Sequence, residues 1–277
     1  MQVRVARHAG VCYGVERALE LAEEAAGSGS TVRTLGPLIH NPQAVAALKE
    51  RGVEVAVCLE EVAGGTLVIR SHGVDPAIIE SAREKGLDVV DATCPFVSKA
   101  HDAARELKAD GYLVVIVGEA DHPEVEGISA HAGGDAMIVQ TPDELPERFS
   151  NRRIGIVVQT TQSADRLAAV VQAVLPRVAE LRVFNTICSA TAKRQLSAEE
   201  LAREVDVMVV VGGHNSGNTN RLAEICLRAN PRTYHVETSD ELDAGWFSGA
   251  QVVGVTAGAS TPDAQMAGVV AAIESLG

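Results

Sequence analysis

Hydrophobic and polar positions along this chain follow two periods, and their alternation repeats three times. Short apolar runs, such as V-V-I-V at 114–117 and V-M-V-V-V at 207–211, are typical of strands buried on both faces. Each run ends in a polar turn, and a segment with apolar residues at helical spacing follows it. Because strands alternate with helices of this length, we predict an α/β protein built from parallel sheets with right-handed crossovers.

The threefold repeat is clearest around three cysteines, Cys12, Cys94 and Cys188. Each follows a β-prone run and precedes a helical pattern, and two further strand–loop–helix units with a spare short strand complete each repeat. The spacing from cysteine to a later histidine is also similar: 28 residues from Cys12 to His40, 28 from Cys94 to His122 and 26 from Cys188 to His214. We therefore expect three similar small α/β modules, arranged around a pseudo-threefold axis, whose turns face one cavity.

The three cysteines are candidate metal ligands. Three thiolates hold Zn²⁺ with one open position, or three irons of a [4Fe–4S] cluster with the fourth iron left open. The compact C-x-x-C spacing of many metal sites is absent, so spacing favours neither metal. A third interpretation is that all three are small core residues. We predict that the other two cysteines, Cys58 and Cys226, are core thiols that only pack.

Polar turns follow the strands of all three repeats. Imidazoles, hydroxyls and carboxamides at helix N-termini suit a phosphate or diphosphate, because the exposed N–H groups and the helix dipole add to them. Each of these residues taken singly is also a good helix N-cap. The turns contain His40-Asn41, Ser71-His72-Gly73, His122-Pro123-Glu124, Thr160-Thr161, the run 214–218 and Ser260.

Glu124 is the natural proton donor among these turn residues, since it lies beside His122 in a region with few other acids. The alternative is a solvated loop carboxylate. Four other histidines fall outside the repeated positions, and we expect them to be surface or packing residues: His8, His101, His131 and His235.

Composition limits the class of partner. The formal net charge of −13 and the pI of about 5.1 argue against broad nucleic-acid binding, which needs a basic face. Aromatic residues make up 3% of the chain, too few to favour recognition by base stacking. No apolar stretch approaches a membrane span and no signal peptide is evident, so we expect a cytoplasmic protein with reduced thiols and no membrane partner.

Taken together, these motifs resemble the 4-hydroxy-3-methylbut-2-enyl diphosphate reductase family, iron–sulfur reductases of the non-mevalonate isoprenoid pathway. The similarity covers essentially the whole chain. The motifs that carry it are V-C-Y-G-V-E-R-A, L-I-H-N-P, S-H-G-V, D-A-T-C-P-F-V, H-P-E-V-E-G, Q-T-T, I-C-S-A-T-A-K-R-Q, N-S-G-N-T-N-R-L and T-A-G-A-S-T-P-D.

The resemblance implies a [4Fe–4S] cluster held by Cys12, Cys94 and Cys188, with one iron open to the substrate. It implies that Glu124 supplies protons and that Thr160 lies near the substrate hydroxyl. It also implies that the diphosphate is bound by His40, His72, His122, Ser216, Asn218 and Ser260. The expected reaction is reductive dehydroxylation to isopentenyl and dimethylallyl diphosphate, with electrons from a donor such as ferredoxin or flavodoxin.

The resemblance further implies that the N-terminal strand joins the third module around a central cluster. We therefore expect module boundaries at 13–94, 95–187 and 188–277 plus 1–12. Three positions depart from the usual family pattern: Val11 in place of Phe, His214 in place of Lys and Gly217 in place of a second Ser. None of them is an expected cluster ligand, so the expected activity is unchanged.

Two other functions share some of these features. A [4Fe–4S] hydro-lyase also uses an open iron on a hydroxyl group, but its reaction needs no electrons. A non-catalytic iron–sulfur or zinc protein needs the cysteines but not the diphosphate-type turns. A requirement for a reductant separates the first alternative, and a metal assay separates zinc from iron.

Overall fold

The structure is a computed structural model that describes residues 1–276 of the 277-residue chain. These residues form twelve strands: β1 (Gln2–Val5), β2 (Val32–Leu35), β3 (Val53–Ala56), β4 (Thr66–Ile69), β5 (Asp88–Asp91), β6 (Leu113–Val117), β7 (Met137–Val139), β8 (Arg153–Val158), β9 (Glu180–Phe184), β10 (Val207–Val211), β11 (Thr233–Val236) and β12 (Val252–Ala257).

Nine α-helices connect the strands in the described part of the chain. They are α1 (Tyr13–Gly27), α2 (Pro42–Glu50), α3 (Pro76–Glu84), α4 (Pro95–Ala109), α5 (Pro123–His131), α6 (Ala164–Val174), α7 (Ser189–Glu204), α8 (Gly217–Ala229) and α9 (Asp263–Ser275). None of these helices has both the length and the hydrophobicity needed to cross a bilayer.

The strands form three separate four-stranded sheets, and every pairing is parallel. Their orders are β3-β2-β4-β5, β7-β6-β8-β9 and β11-β10-β12-β1, which are equivalent strand for strand. The predicted α/β class and its three similar modules are confirmed. The spare strand of each repeat lies at one edge of its sheet, and the strand that precedes a cysteine lies at the other.

One detail of the repeat differs from the sequence-based prediction. The hydrophobic repeat alone places the strand before each cysteine in the repeat that the cysteine opens, whereas the boundaries that the resemblance implies place residues 88–91 in the first module. In the structure β5 pairs with β4 in the first sheet. Helix α4, which follows Cys94, instead packs against β6 and β8 of the next sheet. The chain therefore leaves one module and enters the next at the cysteine, a crossover that local hydrophobic patterning does not reveal.

The described chain divides into two compact units. The first contains Met1–Val15, His40–Val45 and the residues from 189 onward, including the sheet of β1, β10, β11 and β12. The second contains Glu16–Ile39 and Ala46–Cys188, and so holds the other two sheets. In the first unit β1 pairs with β12, with Gln2 opposite Val252.

The central strands are buried as their apolar runs predict. All five residues of β10 are buried, and so are four of the five in β6. Helices pack on both faces of the sheet β7-β6-β8-β9, and the side chains of its strands point alternately to these two faces. Ile116 therefore packs towards α4 and α5, whereas Val115 and Val117 pack in a different cluster with α6.

Candidate functional site

The three candidate ligand cysteines occupy equivalent positions in the backbone. Each directly precedes a helix, α1, α4 or α7, each is half-buried, and none forms a disulfide. Each also donates its backbone N–H, over 3.0 Å, to a carbonyl in the turn after a neighbouring strand: Cys12 to Ala259, Cys94 to Ser71 and Cys188 to Thr160.

Two of the three cysteine loops are shaped by the same side-chain turn. The Asp91 carboxylate accepts a hydrogen bond from the N–H of Thr93 at 2.9 Å, and the Asn185 carboxamide accepts one from the N–H of Ile187 at 3.2 Å. Both are Asx turns that begin three residues before a cysteine. Each turn fixes the backbone conformation of the loop that carries the cysteine.

The loop that carries Cys12 is held differently, because Ala9 stands three residues before the cysteine. Here Arg194 of α7, which is 4% exposed, donates from Nη2 to the carbonyl oxygen of Gly10 at 2.8 Å. Arg194 is not among the candidate residues predicted from the sequence. The only signal was its place in the motif that follows the third cysteine.

The other two cysteines lie in contrasting environments. Cys226 is fully buried, and burial raises the pKa of its thiol to about 12, so its predicted packing role is confirmed. The prediction for Cys58 is wrong, because that residue is exposed. It lies two residues beyond the edge strand β3, at the start of a short 3-10 helix, where the apolar run no longer faces the core.

Glu124 and Thr160 form a buried hydrogen-bonded pair in the second unit. Glu124 is 2% exposed and Thr160 is 5% exposed. The backbone N–H of Thr160 donates to Oε1 of Glu124 at 2.6 Å, and the Thr160 hydroxyl lies 2.9 Å from Oε2. Glu124 enters the site from the start of α5, and Thr160 enters from the turn that follows β8.

The electrostatics of Glu124 favour a neutral carboxyl. Burial raises its pKa to about 7, and the charge of Glu119 pushes it in the same direction, while the two hydrogen bonds from Thr160 lower it. Removing a carboxylate from water raises its pKa more than hydrogen bonds from two neutral donors lower it. The solvated-carboxylate alternative is therefore wrong, and Glu124 is able to hold a proton near neutral pH.

Two of the candidate diphosphate residues lie beside this pair. The rings of His72 and His122 meet edge to face with centroids 5.5 Å apart. His122 is also the N-cap of α5, where its Nδ1 accepts the N–H of Glu124 at 3.1 Å. Since Nδ1 is an acceptor, a neutral His122 carries its proton on Nε2 and presents that N–H as a donor.

The first unit contains the remaining candidate diphosphate residues. Ser216 caps α8, with its hydroxyl accepting from the N–H of Thr219 at 3.3 Å, and Ser260 donates its hydroxyl to the His40 carbonyl at 2.9 Å. Asn218 is 4% exposed, yet neither its amide nitrogen nor its amide oxygen has a hydrogen-bond partner among the described residues. A buried carboxamide without partners is costly, which points to a polar ligand at this position.

Gln159 is a buried polar residue that sequence analysis mentioned only as part of Q-T-T. Its side chain is fully buried, and Oε1 accepts from the N–H of Glu119 at 3.1 Å and from Nε2 of Gln162 at 3.2 Å. The carboxamide thus connects the turns after β6 and β8, from which Glu124 and Thr160 are positioned.

The three departures from the family pattern all lie in the first unit. His214 is exposed, with Nε2 3.3 Å from Oε2 of Glu241 and its ring 4.3 Å from that of His235. Gly217 is the first residue of α8, and Val11 is half-buried.

The chain is similar to known proteins over nearly its full length. Residues 3–274 match the family model described as LytB protein. The chain is 53% identical over 262 residues to 4-hydroxy-3-methylbut-2-enyl diphosphate reductase of Geobacter sulfurreducens, covering 95% of this chain and 93% of that protein. It is 50% identical over 279 residues to the protein of the same name from Geotalea daltonii, covering 100% and 98%.

Two solved structures are also similar. One is described as (E)-4-hydroxy-3-methyl-but-2-enyl diphosphate reductase, the terminal enzyme of the non-mevalonate pathway; it is 47% identical, has a TM-score of 0.73 and covers 99% of this chain and 100% of its own. The other, the E-1-hydroxy-2-methyl-but-2-enyl-4-diphosphate reductase of Plasmodium falciparum, is 27% identical with a TM-score of 0.91, covering 98% and 87%. The chain therefore belongs to the LytB protein family.

Proposed function

We propose that this protein is an oxidoreductase that converts 4-hydroxy-3-methylbut-2-enyl diphosphate to isopentenyl and dimethylallyl diphosphate. The observation that carries the proposal is the buried Glu124–Thr160 pair, which holds a proton beside two histidines suited to a diphosphate. The similarity to reductases of that name over almost the whole chain supports the choice of substrate.

Members of the LytB family are iron–sulfur enzymes, and the thiols of this chain fit such a group. The three proposed ligands are Cys12, Cys94 and Cys188, which are half-buried, form no disulfide among residues 1–276 and are held by equivalent backbone hydrogen bonds. Thiolates are the ligands that iron–sulfur clusters require. When bound, a [4Fe–4S] cluster with three cysteine ligands supplies electrons one at a time and one Lewis-acidic iron.

The residues of this chain bind the substrate and supply protons to it. We assign the diphosphate to His40, His72, His122, Ser216, Asn218 and Ser260. His122 offers its Nε2–H, Asn218 offers an amide with no protein partner, and the N-termini of α5 and α8 favour an anion. Fixing the diphosphate orients the substrate hydroxyl, which is a proximity effect.

The hydrogen-bond pattern around Glu124 specifies where its proton lies. Oε1 accepts the N–H of Thr160 and so remains an acceptor. A neutral Glu124 therefore carries its proton on Oε2 and donates it in a hydrogen bond to the Thr160 hydroxyl oxygen. The hydroxyl hydrogen of Thr160 is then available to donate to the substrate. The overall reaction takes two electrons and two protons, breaks the C–O bond, forms one C–H bond and releases water.

The electron donor is proposed to be a small redox protein such as ferredoxin or flavodoxin. The reaction needs single electrons at a low potential, which both classes supply. The expected product is a mixture of the two isoprenyl diphosphates, because the allylic intermediate accepts a proton at either end of its three-carbon system.

The proposal is tested by anaerobic purification followed by iron and sulfide analysis. We expect about four irons per chain and a visible spectrum that changes when 4-hydroxy-3-methylbut-2-enyl diphosphate is added. Cys188→Ser should lose most of the iron, whereas Cys58→Ser, a matched change at an exposed thiol, should retain it. Zinc in place of iron, or full iron content in Cys188→Ser, would overturn the ligand assignment.

A further inference from the structure

His101 lies between two of the motifs that carry the site. Although this histidine is in α4, outside every repeated position, it is 5% exposed. The turn of Ser71-His72-Gly73 and α5, which begins with Pro123 and Glu124, both lie against the Cε1–Nε2 edge of its ring.

Both motifs present a glycine to the His101 ring. A Cβ placed on Gly73 would overlap Cε1 of the ring, and a Cβ placed on Gly127 would lie 3.1 Å from its Nε2. The same Cβ on Gly127 would lie 3.6 Å from the carbonyl oxygen of His72, so the two motifs also approach each other there. Gly73 has a φ of +73°, a conformation that favours glycine.

His131 stacks on a face of the His101 ring. The two rings are stacked at 4.1 Å with an interplanar angle of 11°, and Nδ1 of His131 lies 2.8 Å from the carbonyl oxygen of Gly127. The start of α5 carries Glu124 and its last turn carries His131, so this stack connects the body of α5 to α4.

His101 is a neutral ring at physiological pH. Burial lowers its pKa to about 4; His131 and Arg105 act in the same direction, while Asp102 and Asp91 oppose it. Its Nε2 is buried and has no hydrogen-bond partner among residues 1–276. The ring therefore acts through its shape and stacking rather than through a hydrogen bond at Nε2 or a charge.

We propose that His101 is a positioning residue that sets the separation between the His72 turn and α5, and thereby the geometry of His72, His122 and Glu124. The inference rests on the proposed function, because it concerns residues assigned to that reaction. It assigns a role to a histidine that the repeat pattern places outside the site.

Three variants test whether the shape of the His101 ring is sufficient for its role. His101→Phe keeps an aromatic ring that stacks on His131, and we expect turnover within about threefold of wild type. His101→Ala removes the ring, and we expect kcat/KM to fall at least about tenfold, because a small displacement of positioned groups is costly to a reaction. Val170→Ala, which also truncates a fully buried side chain but on α6, is the matched control for a general loss of stability.

Two readouts would not move for a merely structural residue. The fall of kcat near pH 7 that is set by Glu124 should shift to lower pH in His101→Ala, because water then reaches the carboxyl. Hydrogen exchange of the protein before cluster loading should speed up in 71–74 and 123–131 and stay unchanged in α8 (Gly217–Ala229). Val170→Ala should change neither.

The outcomes distinguish the inference from the function on which it rests. If wild type makes no product, the proposed function fails, while the exchange experiment still tests the positioning role. If wild type is active and His101→Ala keeps its kcat/KM, pH profile and exchange pattern, the inference is wrong. Loss of activity in His101→Phe equal to that in His101→Ala would also contradict it, because the ring's shape would then not suffice.

Discussion

Replacing Glu124 with glutamine should make the protein more stable at neutral pH while it removes most of the turnover. Glutamine has nearly the same shape and keeps an oxygen for the N–H of Thr160, and its NH₂ group donates to the Thr160 hydroxyl. The variant therefore mimics the neutral carboxyl without the ability to ionise. It removes the proton and leaves the packing in place.

The magnitude follows from the pKa of Glu124, which is about 7 in the folded protein against an ordinary value of 4.5. Each tenfold change in the acid constant is worth about 1.4 kcal/mol, so ionising the buried carboxyl costs about 3 kcal/mol of folding stability. Because the folded pKa is the higher one, wild type loses this stability as the pH rises from about 4.5 to about 7. Below that window both proteins should be equally stable.

The assay is urea unfolding of wild type and Glu124→Gln at several pH values from 4 to 8.5, before cluster loading. We expect the difference in unfolding free energy to be near zero at pH 4 and to reach about 3 kcal/mol in favour of the variant above pH 7. Glu126→Gln, a change two residues along at an exposed carboxylate, is the matched control and should show no such rise. A constant difference across the pH range, or a less stable variant at pH 8, would refute the argument that burial governs Glu124.

Four further predictions concern turnover and the cluster. Wild-type kcat should decline as the pH rises through about 7, because Glu124 loses its proton, and Glu124→Gln should show no such decline on its residual rate; a flat wild-type profile would exclude Glu124 as the donor. Thr160→Val should lower kcat at least about tenfold while the N–H bond to Glu124 persists, measured by single-turnover product analysis; an unchanged rate would remove the hydroxyl from the proton path. Asn218→Ala should raise KM about tenfold with iron content unchanged, and an unaltered KM would place the diphosphate elsewhere. Asn185→Ala should speed iron loss to a chelator, whereas Asn151→Ala, which removes the same kind of turn at another loop, should not; equal rates would show that the Asx turn does not hold the ligand loop.

Much of the fold was predictable from the sequence because the relevant signals are local. Apolar runs such as 207–211 indicate strands buried on both faces, and the threefold repeat indicates equivalent modules. The pairing of β5 with the preceding sheet was not predictable in this way. That pairing depends on which sheet offers a free edge, a property of the whole chain rather than of residues 88–91.

The candidate site likewise combines features that local sequence predicts with features that depend on contacts between distant residues. The position of Glu124 after a strand indicated a site residue, but its raised pKa depends on burial and on Thr160, which is 36 residues away. Cys58 was misjudged because hydrophobic neighbours do not reveal that it lies beyond the end of an edge strand, at the start of a short 3-10 helix. His101 was predicted only to be a surface or packing residue, because its contacts with Gly73 and Gly127 arise when segments distant in sequence pack together.

The most direct test of the central claim is anaerobic incubation of the iron-loaded protein with 4-hydroxy-3-methylbut-2-enyl diphosphate, with and without a one-electron reductant, followed by analysis of the products. We expect isopentenyl and dimethylallyl diphosphate only when reductant is present, with two electrons consumed for each molecule formed. Conversion that proceeds equally without reductant would indicate a hydro-lyase. No conversion by a fully loaded protein with reductant present would contradict the proposed reaction.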